Sequence, residues 1–401
     1  MRNWCLYLSF RFCSLACFLF ADGERGRIML RKRISWLLGI IVLAGCSTSD
    51  QRILEELGFT HTTSYDLISQ EEGASEDEKL KITISIPKAD PDAEDKREVL
   101  TATGRTSKEA RIQLSKMTNR TLVSGQLRNI LYGSELARAG IWEHIDTLIR
   151  DPSIGQRVKI TLVDGSAHDL LAKEYPDHPI TGVYIAQMLD KEAKYQTVPD
   201  TNLYHFVRDY FDDGIDPVAP VMKDHGDHVD ISGIGLFQDD RYVTKIATQQ
   251  TMIFALLRGG FKQGEISIQL DDGSEGREFV FFSSLSSKRK VKVLNPKPPF
   301  SVEIHVTARA SVLEYIGDLK PSEVPDQEKL ERKISDYLQQ EAQKMVEMMQ
   351  KHQVDSLGIG KDIRNHMSFK EWSELDWREA YAQMEIRCNV QAEIKDYGKF
   401  Q

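Results

Sequence analysis

Cys46 is the residue of this 401-residue chain whose setting points most directly to chemistry. It closes the run Leu43-Ala44-Gly45-Cys46, at the end of an apolar stretch from Ile34 that only Ser35 interrupts. A cysteine sulfur is a strong nucleophile, and small residues before it let an extended backbone enter a peptidase. That is a lipobox. Cys46 takes a diacylglycerol thioether, cleavage falls before it, and the new amino terminus is open to acylation. Arg31, Lys32 and Arg33 supply the positive flank of a signal peptide. As a helix the apolar run would rise about 18 Å, short of the roughly 30 Å of a bilayer core, so the run does not read as a span.

Other reactive side chains gather without a working pattern. Asp224-His225-Gly226-Asp227-His228-Val229-Asp230 could ligate a metal. An i,i+3 histidine pair needs a helix, however, and Gly226 disfavours one, so the segment reads as a solvated linker. Gly233-Ile234-Gly235 and Gly358-Ile359-Gly360-Lys361-Asp362 lack the spacing of a phosphate loop. They read as a bulge or close-packing site and as a turn. Ser166, His168 and Asp169 stand too close in sequence to face one another as a triad. Lys288-Arg289-Lys290-Val291-Lys292 reads as a solvated edge strand with bases on both faces, resisting strand addition. Cys388 shares one face of an alternating run with Met384, Ile386, Val390, Ala392 and Ile394, as a small core residue does. The sequence therefore offers no catalytic residue, no metal site and no cofactor site, and it does not read as an enzyme.

The ends of the chain set its organisation. Residues 1–28 hold three of the five cysteines, while Met29 opens a complete lipoprotein signal over 29–45, so 1–28 reads as an upstream extension from a mis-called start. Removing residues 1–45 leaves 356 residues with Lys+Arg at 45 and Asp+Glu at 59, a net charge near −14. So acidic a body does not seek nucleic acid or bare anionic lipid. Only Cys46 and Cys388 remain in it, so no disulfide forms within the chain once Cys46 is acylated, and stability must come from packing.

These residues need elements to position them. The pattern predicts a tether over 46–78 with a short helix or strand in "ILEELGFT", then an α/β domain over 79–176. In it, "LKITISIP" is a strand, Thr106 and Glu109 cap a helix over about 107–117, and Ser134 caps a short helix that Gly140 ends. Two helices and a linker rich in Pro, Gly and Asp fill 177–228, a helical linker region or a small middle domain, and a second α/β domain with an antiparallel sheet and a long helix fills 229–401. There a hairpin turns at Asp239-Asp240, four strands form a meander, and a helix capped by Asp326 runs to about 352. Alternating strands and helices argue an α/β (α+β), multidomain fold with mixed sheets flanked by helices.

Two dense segments resemble a known family. Thr103, Gly104 and Thr106 before a helix, Gly125 and Leu127 before a strand, Glu135, Ala137, Gly140 and Ile141, and the run Arg150-Asp151-Pro152 resemble the amino-terminal region of the GerAC-type (Ger(x)C) spore germination lipoproteins. The stretch "ISGIGLFQDDRYV", and then Asp355, Gly358, Gly360, Trp377 and Gly398, are similar to its carboxyl-terminal region. The segment after Cys46 departs from the family pattern, reading Ser47-Thr48-Ser49-Asp50 in place of Trp-Asp. The resemblance implies three α/β domains and the C subunit of a nutrient germinant receptor. It implies a lipid anchor at Cys46 on the outer face of the spore inner membrane, and integral membrane subunits of the A and B types as partners. It implies no catalytic residue. The alternative is an extracytoplasmic solute-binding lipoprotein, which needs two similar lobes around a cleft.

Overall fold

A computed structural model describes residues 56–68, 80–88, 92–262, 264–270 and 278–397. Cys46, the signal segment 29–45, the acidic loop 71–78 and Gly398 lie outside the described residues.

Strands β1 (Leu57–Phe59), β2 (Thr62–Leu67), β3 (Leu80–Pro87) and β4 (Arg97–Gly104) lead into helix α1 (Ser107–Lys116). Then come β5 (Thr121–Val123), β6 (Asn129–Gly133), α2 (Ser134–Ala139), α3 (Trp142–Ile149), β7 (Lys159–Val163) and α4 (Ala167–Ala172). Helices α5 (Thr181–Lys194) and α6 (Leu203–Phe211) precede β8 (Val218–Asp224), β9 (Val229–Gln238) and β10 (Arg241–Ala247). Helix α7 (Thr251–Arg258) and strands β11 (Ile266–Leu270), β12 (Glu278–Asn295) and β13 (Ser301–Ile316) follow. The chain closes with α8 (Val324–Lys351), α9 (Ile359–Arg364), α10 (Phe369–Ser373), α11 (Trp377–Gln383) and β14 (Glu385–Asp396).

Eight strands form one sheet in the order β10-β9-β8-β7-β6-β2-β3-β4. The pairs β2–β6, β6–β7 and β7–β8 are parallel, and antiparallel strands extend both sides. Central parallel strands are covered on both faces, which explains the unbroken apolar run in β6. Ile130 and Tyr132 point into a core under α1, α2, α3 and α6, whereas Leu131 points into a second core under α4 and α5. All three are fully buried.

The second sheet has the order β11-β12-β13-β14. Its inner face meets α7 and α8 through alternating residues, Cys388 among them. Helix α8 contributes Leu330, Ile334, Leu338, Ala342, Met345, Val346 and Met349, the apolar stripe its spacing predicts. A neighbouring polar stripe on α8 seals the free edge of β14. Glu331 Oε1 accepts from Ile394 N (2.8 Å), Ser335 Oγ from Ala392 N (2.9 Å) and Gln343 Oε1 from Cys388 N (3.2 Å). Gln343 Nε2 donates to Ile386 O (3.1 Å).

Several expectations need correction. The short strand allowed in "ILEELGFT" is β1, but the segment expected as a tether also holds β2, which pairs with β6 deep in the sheet. The segment expected as a linker holds β8, and a tight turn closed by His225 N donating to His228 O (2.9 Å) joins it to β9. Two of the four strands expected in the meander, "REFVFFSS" and "SKRKVKVLN", are one strand, because register shifts near Ser283–Ser286 absorb the irregularity without ending the pairing. Strand β14 lies parallel to β13, with α8 inside the crossover, so the meander is antiparallel only through β13. Ser134 is the first helical residue after an N-cap at Gly133, and Glu323 rather than Asp326 stands at the N-cap of α8, with Pro325 in the first turn. Thr106 does cap α1, accepting from Glu109 N, but the Glu109 carboxylate turns back to Arg105 N (3.0 Å) instead of closing the box.

Candidate functional site

Several of the residues that carried the resemblance, Gly140, Ile141, Asp355, Gly360 and Trp377, meet at a joint between the two halves of the body. Asp355 begins it. Its Oδ1 accepts from Ile359 N (2.9 Å) and its Oδ2 from Gly360 N (2.6 Å), at the start of α9. Asp355 N donates to Asp216 Oδ2 (2.7 Å), just before β8, and Asp216 N donates to Asp355 O (3.0 Å). Arg378 on α11 reaches over the pair. Its Nη2 donates to Asp216 Oδ1 (3.1 Å) and to Asp239 Oδ1 (2.6 Å) in the β9–β10 turn. From the other side, Trp142 N donates to Asp240 Oδ2 (2.9 Å) and Ile141 N to Asp240 O (3.2 Å). The two-residue turn Asp239-Asp240 is therefore gripped by α3 and by α11 together.

Glycines make this approach possible. Gly360 packs against Gly214, and a Cβ on Gly360 would stand 2.5 Å from Gly214 Cα and 2.6 Å from Trp377 Cε2. Gly140 ends α2 at φ 122°, which brings Ile141 and Trp142 to the turn. Trp377 lies against Trp372 (5.4 Å between centroids) and Tyr381 (5.8 Å).

The electrostatics of the joint are set by burial. Asp355 is 2% exposed, and burial pushes it up to about 7 despite its two backbone N–H bonds. Burial likewise raises Asp216, against the pull of Arg378. A related arrangement holds α4. Asp66 of β2 accepts from Ala167 N and His168 N (2.7 Å each), and burial raises it to about 6. A carboxyl whose folded value is raised binds its proton more tightly in the folded chain. The stability it adds is full below the unfolded value of 3.8 and is lost as pH climbs to the folded value. Half-buried His61 and His144 act in the opposite sense, because desolvation lowers both and stability falls as pH drops through 6.5. Asp355→Asn separates the two effects. Its Tm deficit against the parent chain is expected to shrink by several degrees from about pH 5 to about pH 8 in calorimetry, as the parent's carboxyl charges. A deficit independent of pH would mean that Asp355 is ionised throughout.

The other residues singled out in the sequence do not join this cluster. Cys388 is 7% exposed and burial pushes its thiol up to about 12, which suits a core side chain. Ser166 is the N-cap of α4, accepting from Asp169 N (3.1 Å), while His168 Nδ1 lies 2.7 Å from Thr83 Oγ1. His225 pairs with Asp230 (3.1 Å) and His228 with Asp227 (2.6 Å), and the two rings stack at 5.2 Å. Gly233 lies at the register shift between β8 and β9. The basic run 288–292 splits by face. Lys288, Lys290 and Lys292 are exposed, whereas Arg289 turns inward and donates to Leu357 O (3.2 Å). Asp216, 139 residues from Asp355, was not distinguished by sequence; only Asp-Pro before a strand marks it.

Fold and joint together define an α/β body whose two halves share a sheet and a set of buried carboxylates. Residues 50–224 match the family model described as "Spore germination protein N-terminal domain", and residues 232–398 match "Spore germination B3/ GerAC like, C-terminal". The chain is 25% identical over 370 residues to the spore germination protein GerQC of Bacillus cereus, covering 92% of this chain and 99% of that one. The crystal structure of the GerBC protein superposes with a TM-score of 0.54 at 15% identity, over 86% of this chain and all of that one, and shares the fold. The chain belongs to the GerAC-type spore germination proteins, the C-subunit family of germinant receptors and not a known enzyme family. Among the described residues no helix is long and apolar enough to cross a membrane.

Proposed function

We propose that the chain is the lipid-anchored C subunit of a nutrient germinant receptor. It is attached through Cys46 to the outer face of the spore inner membrane and acts beside two integral membrane subunits of the A and B types. The observation that carries the reading is one of order. The lipobox ends at Cys46, the first germination family model begins at residue 50, and the second runs to 398, so an export signal leads directly into a complete germination pair. A diacyl anchor buries many CH₂ groups at about 0.8 kcal/mol each, enough for lasting attachment. Strand β1 begins at Leu57, eleven residues beyond Cys46, which limits the body to about 40 Å of extended chain from the anchor. The shared eight-stranded sheet and the joint favour this reading over a solute-binding lipoprotein with two similar lobes around a cleft.

Deleting residues 29–401 and measuring dipicolinate release from purified spores against amino acids, sugars and nucleosides tests the proposal. Loss of response to one nutrient class, with a normal response to a receptor-independent trigger, is the expected result. Restoring the gene with Cys46→Ala is expected to move the protein from the membrane to the soluble fraction at high ionic strength. A deletion strain that responds normally to every nutrient class, in a background lacking its other receptors of this type, would overturn the reading.

A further inference from the structure

The outward face of the four-stranded sheet is uncovered, and its charge runs against that of the rest of the body. Lys288, Lys290 and Lys292 occupy three successive outward positions of β12, all exposed, and make no ion pair among the described residues. Side chains on one face of a strand repeat at about 7 Å, so the three ammonium groups form a row about 13 Å long. Leu294, the next outward residue, is 42% exposed.

The neighbouring strands offset only part of this charge. Register places Lys292, Glu303 and Arg387 in one row, Lys290, His305 and Asn389 in the next, and Lys288, Thr307 and Gln391 in a third. Two of the carboxylates on this face are already engaged, Glu385 with Arg387 (2.6 Å) and Glu393 with Arg309 (2.6 Å), whereas Glu303 lies 3.0 Å from His305 and keeps its charge when the imidazole is neutral. What remains is a sheet face with a row of three lysines in no ion pair among the described residues and an apolar residue at its rim, on a chain whose processed form is near −14.

We propose that this sheet face docks on a bilayer surface bearing anionic lipid headgroups. The argument is charge complementarity, and it rests on the membrane-anchored reading above, since the anchor brings the body within reach of the bilayer. A lysine held at such a surface gains enough that three together change partitioning about a hundredfold, and Leu294 adds a contact at the interface. The acidic remainder of the body faces away, so the face orients the subunit as well as holding it. Net charge alone argued against contact with anionic lipid, but the distribution of that charge reverses the conclusion locally.

The test uses the processed chain, residues 46–401, carrying Cys46→Ser so that no lipid holds it. Cosedimentation is measured with vesicles containing phosphatidylglycerol and with vesicles of phosphatidylcholine alone, at low and high ionic strength. Binding to the anionic vesicles only, lost at high salt, is expected. The variant Lys288→Gln/Lys290→Gln/Lys292→Gln should bind about a hundredfold more weakly. A charge-matched control at exposed lysines elsewhere, Lys116→Gln/Lys194→Gln/Lys351→Gln, should bind within about twofold of the parent. Equal losses in both variants, or no preference for anionic vesicles, would overturn the proposal. So would absent vesicle binding combined with loss of the membrane subunits on purification of the triple variant from spores, which would assign the face to an acidic protein partner. None of these outcomes bears on the germination phenotype of the deletion strain, so the two readings fail separately.

Discussion

Arg378→Ala is expected to destabilise the folded chain by about 3 kcal/mol, measured as a fall in the urea midpoint at unchanged slope. Asp216 is 6% exposed and Arg378 is its cation, so the substitution leaves a buried carboxylate without its counter-charge. Arg378 also loses its bonds to Asp239 Oδ1 and to Gln353 O (3.0 Å), which frees the β9–β10 turn on one side. Its guanidinium is 30% exposed, which places the effect at the lower end of the range for breaking a buried pair. The sign with pH follows. Without Arg378, Asp216 takes up a proton more readily, so the deficit should be smaller near pH 5 than near pH 8. A loss below about 1 kcal/mol that does not vary with pH would show that Asp216 is already neutral in the parent chain.

Gly360→Ala is expected to cost about 3 kcal/mol or more, with the fold retained only in part. The added methyl would meet the Gly214 backbone and the Trp377 ring at once, and neither is the loose end of a flexible side chain. Gly214 cannot yield easily, since its φ of 84° is a conformation that glycine favours and its own Cβ position lies 2.5 Å from Gly360 C. The expected signature is a lowered Tm together with altered near-ultraviolet circular dichroism from Trp377 and Trp372, which lie 5.4 Å apart. Gly155→Ala is the control. Nothing lies within 4 Å of its Cβ position, and its stability should change by less than about 0.5 kcal/mol. If both alanines proved equally harmless, the close contact at Gly360 would have to be slack.

Local signals in the sequence located most elements. Thr106 caps α1, Gly140 ends α2, Asp239-Asp240 turns a hairpin, and the alternation from Met384 to Ile394 marks a strand with Cys388 inside. Each depends on neighbours a few residues apart. What escaped depends on partners far away. Residues 218–224 carry Pro220 and lie beside a charged turn, so they resemble a linker; only pairing with β7 and β9 makes them a strand. The register shifts that keep β12 continuous through Ser283–Ser286 are fixed by β13, and nothing in "SSLSS" announces them. Asp355, Gly360, Trp377 and Gly140 were noticed through their resemblance to a family, but their role was not. That role requires Asp216 and Arg378, which local pattern does not connect to them. Cys46, the one site residue the sequence assigned, lies beyond the described residues and is carried by its motif alone.

The stripe of Glu331, Ser335 and Gln343 along α8 bears on how copies of this chain can meet. A terminal strand with unpaired amides is a template on which another strand can crystallise, and proteins held together at high local density are most exposed to that hazard. Along β14 the amides of Cys388, Ala392 and Ile394 are already occupied by side chains of the same molecule. Crowded copies therefore find no continuous row of free amides to extend at this border.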